Sequence, residues 1–596
     1  MALKISRGVR SLRAHAPGRR ERPVGALADF DLPRGVSCPR VRPASMSDIQ
    51  IRPAPPAPPS APQPPAAIAR LPVEILALVF EAVWHATAPH PRLDIEYWPW
   101  YCPVHPALVA ISHVSRVWRQ IALNLPILWS RVDDRMGDRM LAFLDRSREA
   151  PLFLSICLSI FHSGIPRPAI HDLLRKAAHR LRRLDVRLEA VDIFSHPRLD
   201  FVAPELEVLT IQCEIYSGVT VVNHPLLLCN QTASLRALAL LHVRHWLPGN
   251  SFPNLIHLNI SYIFMEELPI CTLAHLLSNC PHLETLHLGQ IWSYSLLSLD
   301  LTLPPAPVHL PRLRSLVTSC ATLQTVAALL STIVLTAPIR IRVHEAHVQS
   351  HTNIWDNFLP PLTFIAPLER LEIATDGSRL YLLAESDRSA IWIQAEFQGA
   401  DRATVCQWLP GLPSTLDLSS IRTFHFSCAD WSCLPVLVRE MPALSVLGTM
   451  LPPDNDNQRD LIAALEHALL SPDMPHRCQA LATLSVQGHP VPEHARALAL
   501  LAVRRAALGT PLSHLIFARM PVLHPGDRHS PVDERVWESV RCELAPAQAH
   551  VQTLEAGSSA RGVCQWEAPG GWDVANPYWR LPEGDEPRCA FPWHAA

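Results

Sequence analysis

The sequence predicts an α plus α/β chain, in which a small all-helical unit precedes an irregular α/β solenoid of stacked helix–strand repeats. Near residue 70, apolar side chains begin to recur at helical spacing. Downstream, the six-residue pattern L-x-x-L-x-[LIVF] returns at 20–29-residue intervals over its first five copies. Hydrophobic residues make up 48% of the 596 and charged residues only 18%. Against a usual charged share of about 25%, that balance provides for a large continuous core and argues against wholesale disorder.

Taken in order, residues 1–67 read as a disordered Arg- and Pro-rich tail. Eight of the thirteen residues from Pro53 to Pro65 are proline, which favours extended polyproline II and supplies no core. Arginines dominate residues 1–22, as in a mitochondrial transit peptide, but prolines and Glu21 interrupt any amphipathic helix there. Order is expected from Ile68. Pro72 suits a first helical turn and Glu74 suits its positive end. Ile75, Leu78, Val79, Ala82 and Val83 then form an i, i+3, i+4, i+7, i+8 stripe. The segment 85–106 interrupts this with prolines and the aromatics Tyr97, Trp98, Trp100 and Tyr101. A second stripe follows through Ile111, Val114, Trp118, Ile121, Ala122 and Leu125, stopped by Pro126. A helical unit of this size is near the lower limit for independent folding and would gain from a partner.

The segments LPVEILALVFE and ISHVSRVWRQIALNLPILWS together resemble an F-box, with Leu71, Pro72, Glu74, Ile75, Leu76, Phe80, Ser115, Trp118 and Trp129 at matching places. The insertion at 85–106 departs from the basic pattern and is similar to the longer version of many fungal F-box proteins. The resemblance covers about a tenth of the chain and places the module at 68–135. It implies docking on the SKP-type adaptor of a cullin-based ubiquitin ligase. The contacts it implies are Leu71, Pro72, Ile75, Leu76, Val79, Phe80, Val114, Trp118, Pro126 and Trp129.

Residues 136–521 read as a leucine-rich-repeat-like solenoid. Copies of the pattern begin at Leu181, Leu206, Leu235, Leu255 and Leu283, then at Leu368, Leu481 and Leu512, with a looser copy at Ile421. Alternation within a copy sends Leu209 and Ile211 to the core and Val208, Thr210 and Gln212 outward. Helical stretches containing Leu273–Leu277, Leu461–Leu469 and Leu498–Ala502, the last with a Gly509 cap, alternate with the strands. One helix–strand unit cannot bury its own apolar face, so neighbours must stack. The usual Asn or Cys of the repeat turn is missing; Glu189, Glu214, Val243, Ile263 and Ile291 stand there instead. Longer gaps on either side of Leu368 are expected to hold the strands Ile339–Glu345 and Ala390–Phe397. Residues 522–596, with Trp566, Trp572, Trp579 and Trp593, read as an irregular C-terminal tail or cap.

Chemistry is sparse. Only Lys4 and Lys176 are lysines, and neither completes a phosphate-binding loop. His344, Glu345, His347 and His351 lack the spacing of a helical zinc motif. Cys428 and Cys433 have no further paired ligands, and the fifteen cysteines include no C-x-x-C pair, so reduced buried thiols are expected. Asp454 and Asp456 fall in PPDNDNQRD, which reads as a loop. The chain is therefore expected not to be an enzyme and to need no cofactor or metal.

Binding is the sharper expectation. Outward strand positions carry Arg183, Asp185, Gln212, His257, Asn259 and His287 as candidate target contacts, with Arg370, Glu372, Thr423 and His425 further on. Their signs are mixed and the net charge is −2, which argues against nucleic-acid and membrane partners and favours a protein target. No secretory leader is visible, so cytoplasmic and/or nuclear residence is expected. The expected role is substrate recognition in an SCF-type E3 ubiquitin ligase, with adaptor and cullin as partners and the target protein unknown. The alternative is a non-ligase leucine-rich-repeat scaffold that binds the adaptor alone.

Overall fold

The computed structural model describes residues 71–87, 106–136, 139–158, 167–188, 199–213, 225–242, 246–264, 270–292, 307–336, 338–349, 367–376, 379–398, 409–428, 430–450, 455–472, 478–488, 491–519 and 531–559. Outside these lie the expected tail 1–67, most of the 85–106 insertion with its aromatics, His351, Asp454 and the four C-terminal tryptophans. Among the described residues no helix is long and apolar enough to cross a membrane.

Three helices come first among the described residues: α1 (Val73–Thr87), α2 (Pro106–Val114) and α3 (Arg116–Asn124). Strands then follow as β1 (Arg131–Asp133), β2 (Leu152–Leu158), β3 (Leu181–Leu188), β4 (Val208–Cys213), β5 (Ala237–Leu241), β6 (His257–Phe264) and β7 (Thr285–Trp292). Next come β8 (Val308–His309), β9 (Ser315–Ser319), β10 (Ile333–Val334), β11 (Arg340–Gln349), β12 (Arg370–Asp376), β13 (Arg379–Glu385) and β14 (Ala390–Gln398). The last are β15 (Thr423–Ser427), β16 (Val446–Met450), β17 (Thr483–Gly488), β18 (His514–Arg519) and β19 (Thr553–Ser559).

Seventeen strands join in one sheet, and β8 pairs with β10 apart from it. Pairing runs in chain order from β1 to β7, then to β9 and β11. There the order inverts: β11 pairs with β14, β14 with β13, β13 with β12, and β12 with β15. From β15 to β19 chain order resumes. Among the described strands, β13 alone runs against its neighbours. The turn into β14 follows from Ser386, whose Oγ accepts from the Ser389 N–H at 3.1 Å and the Arg388 N–H at 3.4 Å, a side-chain turn that reverses the backbone.

Register explains the core. Leu184, Leu209, Leu238, Leu258, Leu286, Leu316 and Ile341 stand side by side along one row, all buried. Each contributes about 1.5–3 kcal/mol by leaving water. Helix Ile270–Ser278 adds Leu273, Leu276 and Leu277 to this face; Asn455–Leu470 adds Leu461 and Leu465; Pro492–Ala507 adds Leu498 and Leu501. The last helix stops at Gly509, whose φ of +79° an L side chain would strain, while the Thr510 N–H returns to the Arg505 carbonyl at 3.0 Å. Arg505 itself is buried and donates to the Leu469 and Cys478 carbonyls at 3.3 and 3.0 Å, the former in the last turn of helix Asn455–Leu470.

The expected class, a small all-helical F-box followed by an irregular leucine-rich-repeat-like solenoid, is corrected by this architecture. The chain forms one mixed seventeen-stranded sheet with helices. Leu76, Phe80 and Trp84 of α1 belong to the same continuous apolar core as the strands, because β1 follows directly after Trp129 and pairs with β2. The antiparallel β13 and the inverted order of β12–β14 interrupt any simple repeat. The sheet also continues past Pro521, since β19 pairs with β18.

Three local expectations are corrected too. PPDNDNQRD does not end as a loop: Asn455 opens a helix that runs to Leu470. The buried stripe of α1 is Leu76, Phe80 and Trp84, one residue away from the expected Ile75–Leu78–Val79 stripe. Two aromatics bury more area than the aliphatic alternative, and they take the core side. The second expected helix breaks at Ser115, whose Oγ accepts from the Trp118 N–H at 3.1 Å and caps a new helix.

Candidate functional site

Two surfaces stand out, and each departs from ordinary burial in the opposite sense. The first lies on α1–α3. With Leu76, Phe80 and Trp84 facing inward, the rest of α1 leaves Val73, Ile75, Leu78 and Val79 exposed, as is Leu71 just before it; Leu78 is 60% exposed. Val109 and Val114 of α2 and Val117 of α3 add to them. Eight of the thirteen exposed large apolar side chains among the described residues thus fall between Leu71 and Val117. Apolar side chains exposed singly are ordinary, whereas a concentration of them marks an interaction surface.

A rigid base supports this surface. Trp118 packs on Phe80 with ring centroids 5.0 Å apart. The Trp129 indole N–H donates to the Ala122 carbonyl at 2.8 Å, Phe143 meets its ring edge-on at 4.9 Å, and the Arg146 guanidinium lies 4.6 Å over it. At the junction with the sheet, Arg131 of β1 lies 4.0 Å over Trp84. Of the ten expected adaptor contacts, Leu71, Pro72, Ile75, Val79 and Val114 are exposed, and Trp118 and Pro126 are half-buried. Leu76, Phe80 and Trp129 are core residues. Val73, Leu78, Val109 and Val117 were not among the expected contacts; the signal for them was an apolar residue lying off the core stripe of a short helix.

The second surface is the sheet face opposite the leucine row. Its middle row reads, strand by strand from β3, Asp185, Thr210, Ala239, Asn259, His287, Val317, Arg342, Trp392, Leu383, Glu372, His425, Gly448 and Ser485. Arg183, Asp185, Gln212, His257, Asn259 and His287, the six expected target contacts, all lie on this face. All six are buried, so this is not a solvated strand face. Arg183 donates to Asp185 at 2.9 Å, His257 Nδ1 and Thr285 Oγ1 share a hydrogen bond of 2.7 Å, and the Ser261 hydroxyl donates to Asn259 at 3.0 Å.

Other polar atoms on the face have no hydrogen-bond partner among the described residues: Thr210 Oγ1, Gln212 Oε1, Asn259 Nδ2, both ring nitrogens of His287, Glu372 Oε2 and Ser485 Oγ. Leaving a buried polar group unpaired costs about 1–3 kcal/mol, so six such residues on one face form a strongly under-satisfied surface. At its centre, Val317, Leu383, Ala390 and Trp392 form a small apolar cluster separate from the main core, and Arg342 lies 4.8 Å over the Trp392 ring. Sequence reading missed Arg342 and Trp392, although alternation in IRIRV and AIWIQ carries the signal.

Electrostatics follow from this burial. Desolvation, helped by the Arg342 charge, lowers His287 to about 3. Burial lowers His257 to about 4, and burial with Arg370 lowers His425 to about 4. Glu372 rises to about 7 because burial outweighs Arg370, which bridges it to Glu385. Gly448 is required beneath His425: a Cβ there would lie 2.3 Å from the ring Nδ1. His344 and His347 sit on β11, and among the described residues no group of three or more His, Cys, Asp or Glu could hold a metal ion.

A third feature, a groove of about 580 Å³ before β3–β7, is lined by Arg182, Glu207, Arg236, His282, Glu284 and Arg312. Arg182 pairs with Glu205 and Glu207 there, so the charges are partly spent on one another. No protein-family model matches the chain, and no curated protein matches it.

Proposed function

We propose that the chain is the substrate-recognition subunit of an SCF-type, cullin-based E3 ubiquitin ligase. In this reading α1–α3 are an F-box-like element that docks a SKP-type adaptor, and the polar face of the sheet receives the target. The clustering of exposed apolar side chains between Leu71 and Val117 carries the first half, because such a patch is stabilised when a partner covers it. The contribution to reaction rate is proximity: a bound target is held near a ubiquitin-conjugating enzyme's active site, and this chain supplies no catalytic group.

The test is reconstitution of the tagged full-length chain with adaptor and cullin. The reading expects a ternary complex whose adaptor is lost in a Val73→Asp/Leu78→Asp variant. Failure of the wild type to bind adaptor overturns it. Recovery of adaptor without cullin overturns the ligase half and supports the interaction-scaffold alternative.

A further inference from the structure

The groove at the start of strands β3–β9 is built by repetition. Arg182, Glu207, Arg236, Ile256, Glu284 and Arg314 stand side by side there, because the N–H of each after the first donates to the carbonyl of the one before at 2.8–2.9 Å. By alternation they share the leucine side of the sheet, two residues ahead of the row that begins at Leu184, where the core ends. Five like turns precede them: the Leu206, Leu235, Leu255, Leu283 and Leu313 N–H groups return to carbonyls three residues earlier at 3.1–3.3 Å. Pro204, Pro253, Pro281 and Pro311 preset four of these turns. The next residue of each turn, from Glu205 to Arg312, forms the outer wall of the groove of about 580 Å³.

Charge divides this groove in two. Toward β3, Arg182 is engaged by Glu205 and Glu207. Toward β9 the pairing stops. Arg236, Arg312 and Arg314 are exposed and make no ion pair or side-chain hydrogen bond among the described residues. Of the residues lining this half only Glu284, half-buried, is acidic. Strands β5 and β9 are separated by β6 and β7, so Arg236 and the Arg312–Arg314 pair stand about 14 Å apart at about 4.8 Å per strand. An extended peptide rises about 3.3 Å per residue and directs every second side chain the same way, so its residues i and i+4 span about the same distance.

We propose that this half of the groove binds an extended peptide laid across β5–β9, with anionic side chains at i and i+4 and an uncharged one at i+2. Arg236 holds one anion, Arg312 with Arg314 holds the other, and the uncharged side chain lies over Ile256 and Glu284. A guanidinium suits carboxylate and phosphate alike, because its planar fork donates two parallel hydrogen bonds to either. Glu284 sets the spacing: an anion midway along the segment would lie against its carboxylate, so anions are favoured at the two ends alone. The cations are open to solvent before binding, so the peptide displaces water and no part of the fold.

The inference goes beyond the ligase reading and needs neither adaptor nor cullin, so either can fail without the other. Its test uses the full-length chain alone, with fluorescent peptides carrying two glutamates four residues apart, two phosphoserines at the same spacing, or two glutamines. The wild type is expected to bind at least one anionic peptide at least tenfold more tightly than the glutamine peptide, and the tighter of the two identifies the anion as carboxylate or phosphate. Arg236→Gln and Arg312→Gln are each expected to lose most of that preference with melting curves unchanged, since both side chains are exposed. Glu284→Gln should tighten anionic binding several-fold. Arg422→Gln is the control: this exposed arginine also precedes a strand, β15, but lies outside the groove, and its loss should leave affinity unchanged. Equal affinity for the anionic and glutamine peptides overturns the proposal. So does an equal loss in Arg422→Gln, which would reduce the binding to general surface charge.

Discussion

The N-terminal helices and the polar face of the sheet invert the same rule. Between Leu71 and Val117 large apolar side chains stand in water, while on the sheet Asn259, His287 and Glu372 are buried with polar atoms unpaired. Each arrangement costs the isolated chain free energy, the first by exposing apolar surface and the second by burying unpaired polar atoms. A connecting base of Trp84, Arg131 and Phe153 packs where the helices meet the sheet, with Arg131 5.7 Å from the Phe153 ring centroid.

The comparison can be broken most sharply at its base. Trp129→Ala removes a buried indole, its hydrogen bond to Ala122 and its packing on Phe143, and is expected to cost about 3–5 kcal/mol in chemical denaturation. Adaptor binding should fall with it, because the exposed patch loses its support.

Acid should act on the polar face. The unfolded chain protonates His257, His287 and His425 near 6.5, whereas the folded chain holds them at about 4, 3 and 4. Their stabilisation is present above the unfolded value and is lost as pH falls through that window. Glu372 works the other way. Its folded pKa of about 7 lies above the ordinary 4.5, so its contribution is present at low pH and lost as pH rises between those values. Three histidines outweigh one carboxylate, and stability measured by denaturant titration is expected to fall by a few kcal/mol, at about 1.4 kcal/mol per unit of pKa difference, between pH 6.5 and 4. Glu372→Gln should steepen that fall below pH 6.5, because it removes the opposing contribution.

A smaller effect is expected at Gly448. Its alanine variant pushes a methyl group into the His425 ring and should cost about 1–3 kcal/mol, with His425 displaced in a crystal structure. The smallest effect on stability falls on the apolar patch. Val73→Asp/Leu78→Asp should change unfolding free energy by no more than about 0.5 kcal/mol, since both side chains are already exposed. A large loss would show that the patch belongs to the core.

Much of the strand placement was legible because L-x-x-L-x-[LIVF] is a physical requirement of a row: Leu209, Leu238 and Leu258 must stand beside one another. Strand β13 was not legible. Leu380–Ala384 is a continuous apolar run without alternation, and its direction is set by the Ser386 turn. The face of α1 was misread because apolar residues occur all round it, and only the size of Phe80 and Trp84 decides which side is buried. For the sheet, alternation identified which residues share the polar face. It could not show that they are buried, because burial depends on what packs from elsewhere in the chain.

The most direct measurement is titration calorimetry of a SKP-type adaptor into the full-length chain and into Val73→Asp/Leu78→Asp, alongside melting curves of both. A tight complex with the wild type, at least a hundredfold weaker binding by the variant and coincident melting curves are the expected result. Absence of binding by the wild type, or equal binding by the variant, would contradict the assignment of the exposed apolar patch to an adaptor.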